Sequence, residues 1–360
     1  MRRLVPAALL LSAACGPKGP PPDFAPDPGL VAQIRELRIS TSVRACPGET
    51  FGALYTAVLN DGMVVPFESR YDQKHPPRLH VVFLDRRSEE ATPLQGGAWV
   101  ADPDPLTSAV TGFQLTATLT AKPTITATAA VAPEYSCLPH AFGFRGSGAG
   151  ASGPQVTVRL GILRSPFYPR LLVAGVEVEE APPFFVLADA GAVPPSDWLV
   201  IESRGARGVR GYGGTNGANG TAGNAGCPGQ AGARGGDGSD GGPGGPGGRG
   251  GQITIIAPAD EPFLAGLVDA RVPGGEGGPG GRGGKGGEGG KGGAAAPASD
   301  PRCAAGANGA AGRAGTDGPD GPGGSFGTRP RILTVPTRDI WGTQIPPALG
   351  ALLDYRPTRR

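Results

Sequence analysis

Apolar and polar residues alternate through the first half of the chain. In Phe113-Gln-Leu-Thr-Ala-Thr-Leu-Thr120, Phe113, Leu115, Ala117 and Leu119 share one face, the two-residue period of a half-buried strand. Similar short apolar runs cover 54–59, 79–84, 156–163 and 171–178. Turn clusters such as Asn60-Asp61-Gly62 and Ala101-Asp-Pro-Asp-Pro105 separate them. Strong helical periodicity is absent. The pattern predicts a mainly β fold, with residues 30–197 forming a β-sandwich-like region of one larger or two smaller units.

From Gly205 the period changes to three. Glycine occupies every third position from Gly205 to Gly250, from Gly274 to Gly292 and from Gly306 to Gly327. A strict three-residue glycine period implies an extended threefold helix of polyproline II type, with glycine on a face where only a hydrogen fits. Four β-like segments bracket these runs, at 198–203, 252–256, 267–272 and 331–335. The expectation is a small sheet, within residues 198–336, carrying two glycine-rich polyproline/polyglycine II hairpins. One reverses near Cys227-Pro228 and the other through Ala294–Ala305. At about 3.1 Å per residue, each leg is roughly 60–70 Å long.

Three states compete for such a segment. A collagen trimer needs imino acids between the glycines, and here few stand there: Pro228, Pro243, Pro246, Pro319 and Pro322 across the first and third runs. Extra glycine fills a second position through 241–251 and 274–287, which removes the imino restraint and adds unfolded-chain entropy. A bundle within one chain uses that same glycine, because GGx legs offer two bare faces and suit the interior. A flexible coil is the third state. The bundle accounts for most of the pattern. It places the GGx legs (the end of the second and all of the third) as inner neighbours.

The N-terminus has a short basic region, Arg2-Arg3, and an apolar stretch from Leu4 to Ala14. As a helix it would span about 16 Å, roughly half a bilayer core, which marks a cleavable signal rather than a transmembrane helix. Leu11-Ser12-Ala13-Ala14-Cys15 resembles the bacterial lipobox, departing from it at Ser12, where leucine is usual. The resemblance implies removal of residues 1–14, lipidation of Cys15 and membrane attachment, with Gly16 compatible with sorting to an outer membrane. An ordinary cleavage after Ala14 is the alternative. Residues 15–29, rich in proline, read as a stiff tether. The glycine runs resemble bacterial collagen-like repeat proteins over 205–327. Cys46-Pro-Gly48 followed by Asn60-Asp-Gly62 resembles bacterial Ig-like modules.

Five cysteines are an odd number, and assigning Cys15 to the lipid leaves two in each half. The economical pairing in an oxidising compartment is Cys46–Cys137 and Cys227–Cys303. The first would close a loop of about ninety residues and stabilise by roughly 4 kcal/mol. No cysteine has metal-ligand spacing, so neither metal nor cofactor is expected. The net charge of +2 is spread without a basic block, so nucleic acid is not indicated as a partner.

Catalytic motifs are sparse. Gly323-Gly-Ser325-Phe-Gly327 matches a nucleophile elbow in letters, but His75, His80 and His140 lie far upstream and the repeat generates such matches freely. Gly284-Lys285-Gly286 lacks the P-loop's first glycine and its hydroxyl residue. Asp237, Asp240, Asp317 and Asp320 have the oxygen chemistry for calcium, though solvated side chains on the outer faces are the plainer expectation. Arg249, Arg282, Lys285 and Lys291, with Glu276 and Glu288, read as solubilising. The sequence therefore points to a non-enzymatic, lipid-anchored envelope or cell-surface protein with a rod-like projection. Its expected partners are the membrane and an envelope, matrix or cell-surface protein or glycan. A ligand-binding β-sandwich with a glycine spacer is the alternative. Residues 337–360 form an apolar tail expected to pack back.

Overall fold

The mainly β architecture is what alternating patterns of this kind build. A computed structural model describes residues 20–179, 181–296, 301–342 and 345–356. In the N-terminal unit, Ile34–Thr41, Ala53–Leu59 and Val64–Pro66 form an antiparallel sheet. The last two join through Asn60-Asp61-Gly62, where Gly62 has φ +86° and Asp61 Oδ1 accepts from the Met63 N–H. A second sheet runs in the order Arg44–Ala45, Thr126–Pro133, Phe113–Leu119, Leu84–Arg87. The alternation predicted for 113–119 holds, with Phe113, Leu115, Ala117 and Leu119 all fully buried. Trp99, also fully buried, donates from Nε1 to the Tyr55 hydroxyl at 2.7 Å, and that hydroxyl donates to the Gly97 carbonyl. Neither polar group is left unpaired in the core.

The second unit is a sandwich of two sheets. Five strands lie in the order Phe184–Asp189, Leu171–Val178, Gln155–Leu163, Gln252–Pro258, Arg331–Val335. Facing them are Ala141–Arg145, Leu199–Arg204 and Val268–Arg271, all parallel. Val158, Leu160, Leu172, Ala174 and Val176 of the first sheet pack with Leu199 and Ile201 of the second. Burying such side chains contributes about 1.5–3 kcal/mol each.

This arrangement corrects two sequence expectations. The four segments bracketing the glycine runs do not form one small sheet: 199–204 and 268–271 lie in one layer, 252–258 and 331–335 in the other. A division between residues 197 and 198 also falls inside a single sandwich, because 155–163 pairs with 252–258 in parallel register. Apolar periodicity identifies which face of a strand is buried but not which strand lies beside it.

The apolar tail does pack back. Pro347–Asp354 is a helix whose Leu349 and Leu352, with Ile340 and Trp341, cover Leu171, Val173 and Leu187 on the outer side of the five-stranded sheet. Trp341 lies over Gly161 and Gly175, where an added Cβ would come within 3.0 and 3.2 Å of its ring. Tyr168, in the turn after Gln155–Leu163, joins the two units: its hydroxyl donates to the Pro133 carbonyl and accepts from Arg44. That turn lies at the opposite end of the sandwich from Gly153 and Gly205. The N-terminal unit meets the sandwich at the turn and, through Leu106, Ala109 and Tyr135, along the outer side of the five-stranded sheet, while the glycine segments leave from the other end.

Candidate functional site

Four glycine segments leave the sandwich as rods: rod 1 (205–226), rod 2 (229–250), rod 3 (274–293) and rod 4 (306–327). Their backbone hydrogen bonds repeat every three residues. Glycine N–H groups of rod 1 donate to rod 3 (Gly208 to Glu276, Gly214 to Arg282, Gly223 to Lys291), and those of rod 2 donate to rod 4 (Gly232 to Ala307, Gly241 to Thr316). Both pairs are parallel. Antiparallel bonds link rod 2 to rod 1 (Gly242 to Tyr212), rod 3 to rod 2 (Gly281 to Gly242) and rod 4 to rod 3 (Gly318 to Gly281). N···O distances in this lattice run from 2.7 to 3.1 Å. Rods 2 and 3 each touch three neighbours, and rods 1 and 4 touch two, so the cross-section is a rhombus. A threefold helix has no internal hydrogen bonds, and lateral pairing is what satisfies its backbone.

The parallel pairs originate in the sheets. Leu199–Arg204 and Val268–Arg271 are parallel neighbours that run into rods 1 and 3, while rods 2 and 4 return into the parallel neighbours Gln252–Pro258 and Arg331–Val335. Strand register at the base thus sets rod register. A short stretch, 146–153, extends the lattice there: Ala206 N–H donates to the Ala151 carbonyl and Gly153 N–H to that of Arg249. Its Gly-Ser-Gly-Ala-Gly composition is a sequence signal for close backbone approach, though it lies outside the three-residue period that marks the rods.

Glycine usage follows contact. In rod 3, a Cβ on Gly277 would land on the Gly321 carbonyl of rod 4, and one on Gly278 on the Val209 carbonyl of rod 1; both faces need bare backbone. In rod 2 two of the extra glycines sit where rod 1 is bulky. A Cβ on Gly242 would strike the Tyr212 ring and one on Gly245 the Val209 side chain. Towards the tip, opposite Thr215, rod 2 carries Ser239, whose hydroxyl accepts from the Thr215 N–H.

Asp237, Asp240, Asp317 and Asp320 lie exposed on the outer faces, as expected, but each also accepts a backbone hydrogen bond from the neighbouring rod. Asp320 and Asp317 Oδ1 accept from Gly280 and Gly283 N–H, each at 2.8 Å. Asp237 and Asp240 accept from Arg313 and Thr316 N–H, each at 2.7 Å. Asn216, Asn219 and Asn308 do the same for Lys285, Glu288 and Gly292. All seven stand immediately before a period glycine, a phase visible in the sequence. Each satisfies an outward N–H on the adjacent rod. Side chains on the outer faces of rods 1 and 4 leave no bare glycine surface for a further rod, an analogue of edge protection in sheets.

These bonds hold the Asp237 and Asp240 carboxyls below the ordinary aspartate value of 3.8, the backbone N–H of Arg313 and of Thr316 being the largest cause in each case. Groups with depressed folded-state values stabilise the fold above the unfolded value and lose that effect as pH falls through the folded one. Rod protection is therefore expected to weaken as pH drops below about 4. The D237N/D240N variant, which keeps both acceptors, should show a flatter acid limb in pH-dependent amide exchange. An unchanged limb would show that these carboxyls do not titrate against the rods.

The remaining predicted residues are distributed as follows. Cys46 and Cys137 are bonded with Cα atoms 6.3 Å apart, and Cys227 and Cys303 with 4.7 Å, the latter pair at the tip of the rods. Cys15 lies outside the described residues. Ser325 and Lys285 sit on straight rods, away from any strand–turn–helix. His80 Nδ1 accepts from the Val82 N–H, His140 lies against the Trp198 ring at 5.3 Å and His75 is exposed beside Asp72. Among the described residues no group of three or more His, Cys, Asp or Glu is placed to hold a metal ion, and no helix is long and apolar enough to cross a membrane.

What the geometry offers is a surface. The face between rods 1 and 3 carries Arg207, Arg210, Arg282, Lys285 and Lys291 against Glu276 and Glu288. The face between rods 1 and 2 carries no charge, with Val209 and Tyr212 exposed near its base. No family model, curated protein or solved structure matches the chain.

Proposed function

We propose that this chain is a non-catalytic, lipid-anchored envelope or cell-surface protein that uses the rod bundle as a structural or adhesive projection. The observation that carries the reading is that the rods leave the end of the sandwich opposite the Tyr168 turn, where the N-terminal unit attaches. The segment that starts at Pro20 packs on the N-terminal unit, where Phe24 meets Tyr71 and Phe83 at 5.0 Å between ring centroids. The rods leave the far end of the second unit and extend roughly 65 Å at about 3.1 Å per residue. An anchor at Cys15 would place the rods outermost. Lateral hydrogen bonds make them stiff, so a contact at the tip or along a face is held away from the membrane. The two disulfides agree with an oxidising compartment.

The test cuts the rods to about half length, replacing 218–235 and 288–311 by short turns, and displays this variant and the full chain on a bacterial host. Attachment to other cells or to matrix should fall at least tenfold at equal surface level. C15S should move the protein from the membrane to the soluble fraction. Undiminished attachment by the shortened variant would overturn the reading.

A second reading, a ligand-binding sandwich with the rods as spacer, has one observation in its favour. A cavity of about 530 Å³ in the N-terminal unit is lined by Ser69, Arg70, Tyr71, His80, Arg86 and Gln95. In the same experiment that reading requires the shortened variant to keep full ligand binding.

A further inference from the structure

We propose that the face between rods 1 and 3 binds an acidic polysaccharide, laid along the rods. This rests on the reading of the bundle as the working projection and names its ligand class. Rod 3 is GGx throughout, so it presents one side chain per period, and those at 282, 285, 288 and 291 are exposed over a floor of buried glycine at 281, 284, 287 and 290. Successive side chains are about 9 Å apart, three residues at about 3.1 Å each. The bonds from Gly208 to Glu276 and from Gly217 to Lys285 set the axial order. From base to tip it runs Arg207, Arg210, Arg282, Lys285, Lys291. Arg207 meets Glu276 at 3.7 Å, whereas Arg210, Arg282, Lys285 and Lys291 make no ion pair among the described residues. Beside this row, Asn216 and Asn219 use Oδ1 on the Lys285 and Glu288 N–H groups, which leaves their amide NH₂ groups as donors for a ligand. Cations flanked by amide donors suit a chain that is both anionic and rich in oxygen acceptors.

The spacing selects the polymer. Duplex DNA carries a charge about every 1.7 Å of axis, far denser than this row, in which Arg282 and Lys285 stand one period apart and Lys285 and Lys291 two, with Glu288 between them. A glycan with one carboxylate per disaccharide has a repeat close to that period. Nor do the other faces offer the same chance: Asp237, Asp240, Asp317 and Asp320 lie on them as backbone acceptors.

The experiment measures binding of the full chain to hyaluronate, polygalacturonate, neutral dextran and duplex DNA at low salt. Hyaluronate should bind and dextran should not, with affinity falling as salt rises. The R210Q/R282Q/K285Q variant should lose on the order of 100-fold, about fivefold for each charge at contact distance in water. The R35Q/K74Q/R78Q variant has the same net charge change on the exposed surface of the N-terminal unit and should bind normally. E288Q should bind more tightly. Equal loss in both triple variants, equal binding of dextran, or DNA bound more tightly than hyaluronate through the same residues would each overturn the proposal. Normal attachment of the R210Q/R282Q/K285Q variant in the display assay, with no hyaluronate binding by the full chain, would remove the glycan assignment while leaving the projection intact.

Discussion

Replacing Gly281 by alanine is expected to destroy the order of the rods, with amide protection lost over most of 205–327 and both β units still folded. Gly281 sits on the central rod 3. Its N–H donates to the Gly242 carbonyl of rod 2 at 2.9 Å, and its carbonyl accepts from Gly318 of rod 4 at 2.8 Å. The Cβ of alanine would land on the Tyr212 carbonyl of rod 1. This obstacle is backbone held by its own bonds, so no side-chain rotation can relieve it. Moving rod 3 aside breaks bonds to two rods at once. Losing about three hydrogen bonds at roughly 1 kcal/mol each, with overpacking of about 1–3 kcal/mol, gives a penalty of about 4–6 kcal/mol. Gly213→Ala is the matched control. Its nearest neighbour would be the Arg282 carbonyl at 3.8 Å, and lower unfolded-chain entropy should stabilise by about 0.5 kcal/mol. Hydrogen exchange read by mass spectrometry distinguishes the two. Equal protection in both variants would refute lateral backbone contact as the source of order.

The second large effect is at the tip. Cys227 and Cys303 are 76 residues apart in sequence, and opening a loop of that size costs about 4 kcal/mol in the chain-entropy model. The C227A/C303A variant should therefore lose cooperative melting of the bundle at a markedly lower temperature. The loss should also have a direction. Rods at the base continue strands of the sandwich, so residues 205–214 and 274–284 should stay protected while 220–235 and 288–310 exchange first. Uniform exchange along the rods would mean that the base does not hold them. The remaining disulfide, Cys46–Cys137, belongs to the N-terminal unit, and a variant lacking it alone should leave rod exchange unchanged.

Strand faces were legible, since Phe113 to Leu119 follow a two-residue period whose apolar half is fully buried. So was the mainly β class, and so was the pairing of four cysteines by halves of the chain. Less visible was the work of the residues before the period glycines. Asp237 meets Arg313, 76 residues away, and no local pattern announces that a carboxyl will accept from a particular distant N–H. The basic face was hidden for the same reason: its charges come from rods 1 and 3, well separated in sequence, and only parallel pairing puts them in one row.

By itself the sequence determined which residues can lie against bare backbone, because a glycine every third position clears one face of a threefold helix and a second glycine clears another. Only the tertiary structure decided which rod meets which, and in what direction. Two parallel strand pairs, one in each layer of the sandwich, send out rods 1 and 3 together and receive rods 2 and 4 together. A helix without internal hydrogen bonds has no preferred partner of its own, so the sheets at its root supply the register.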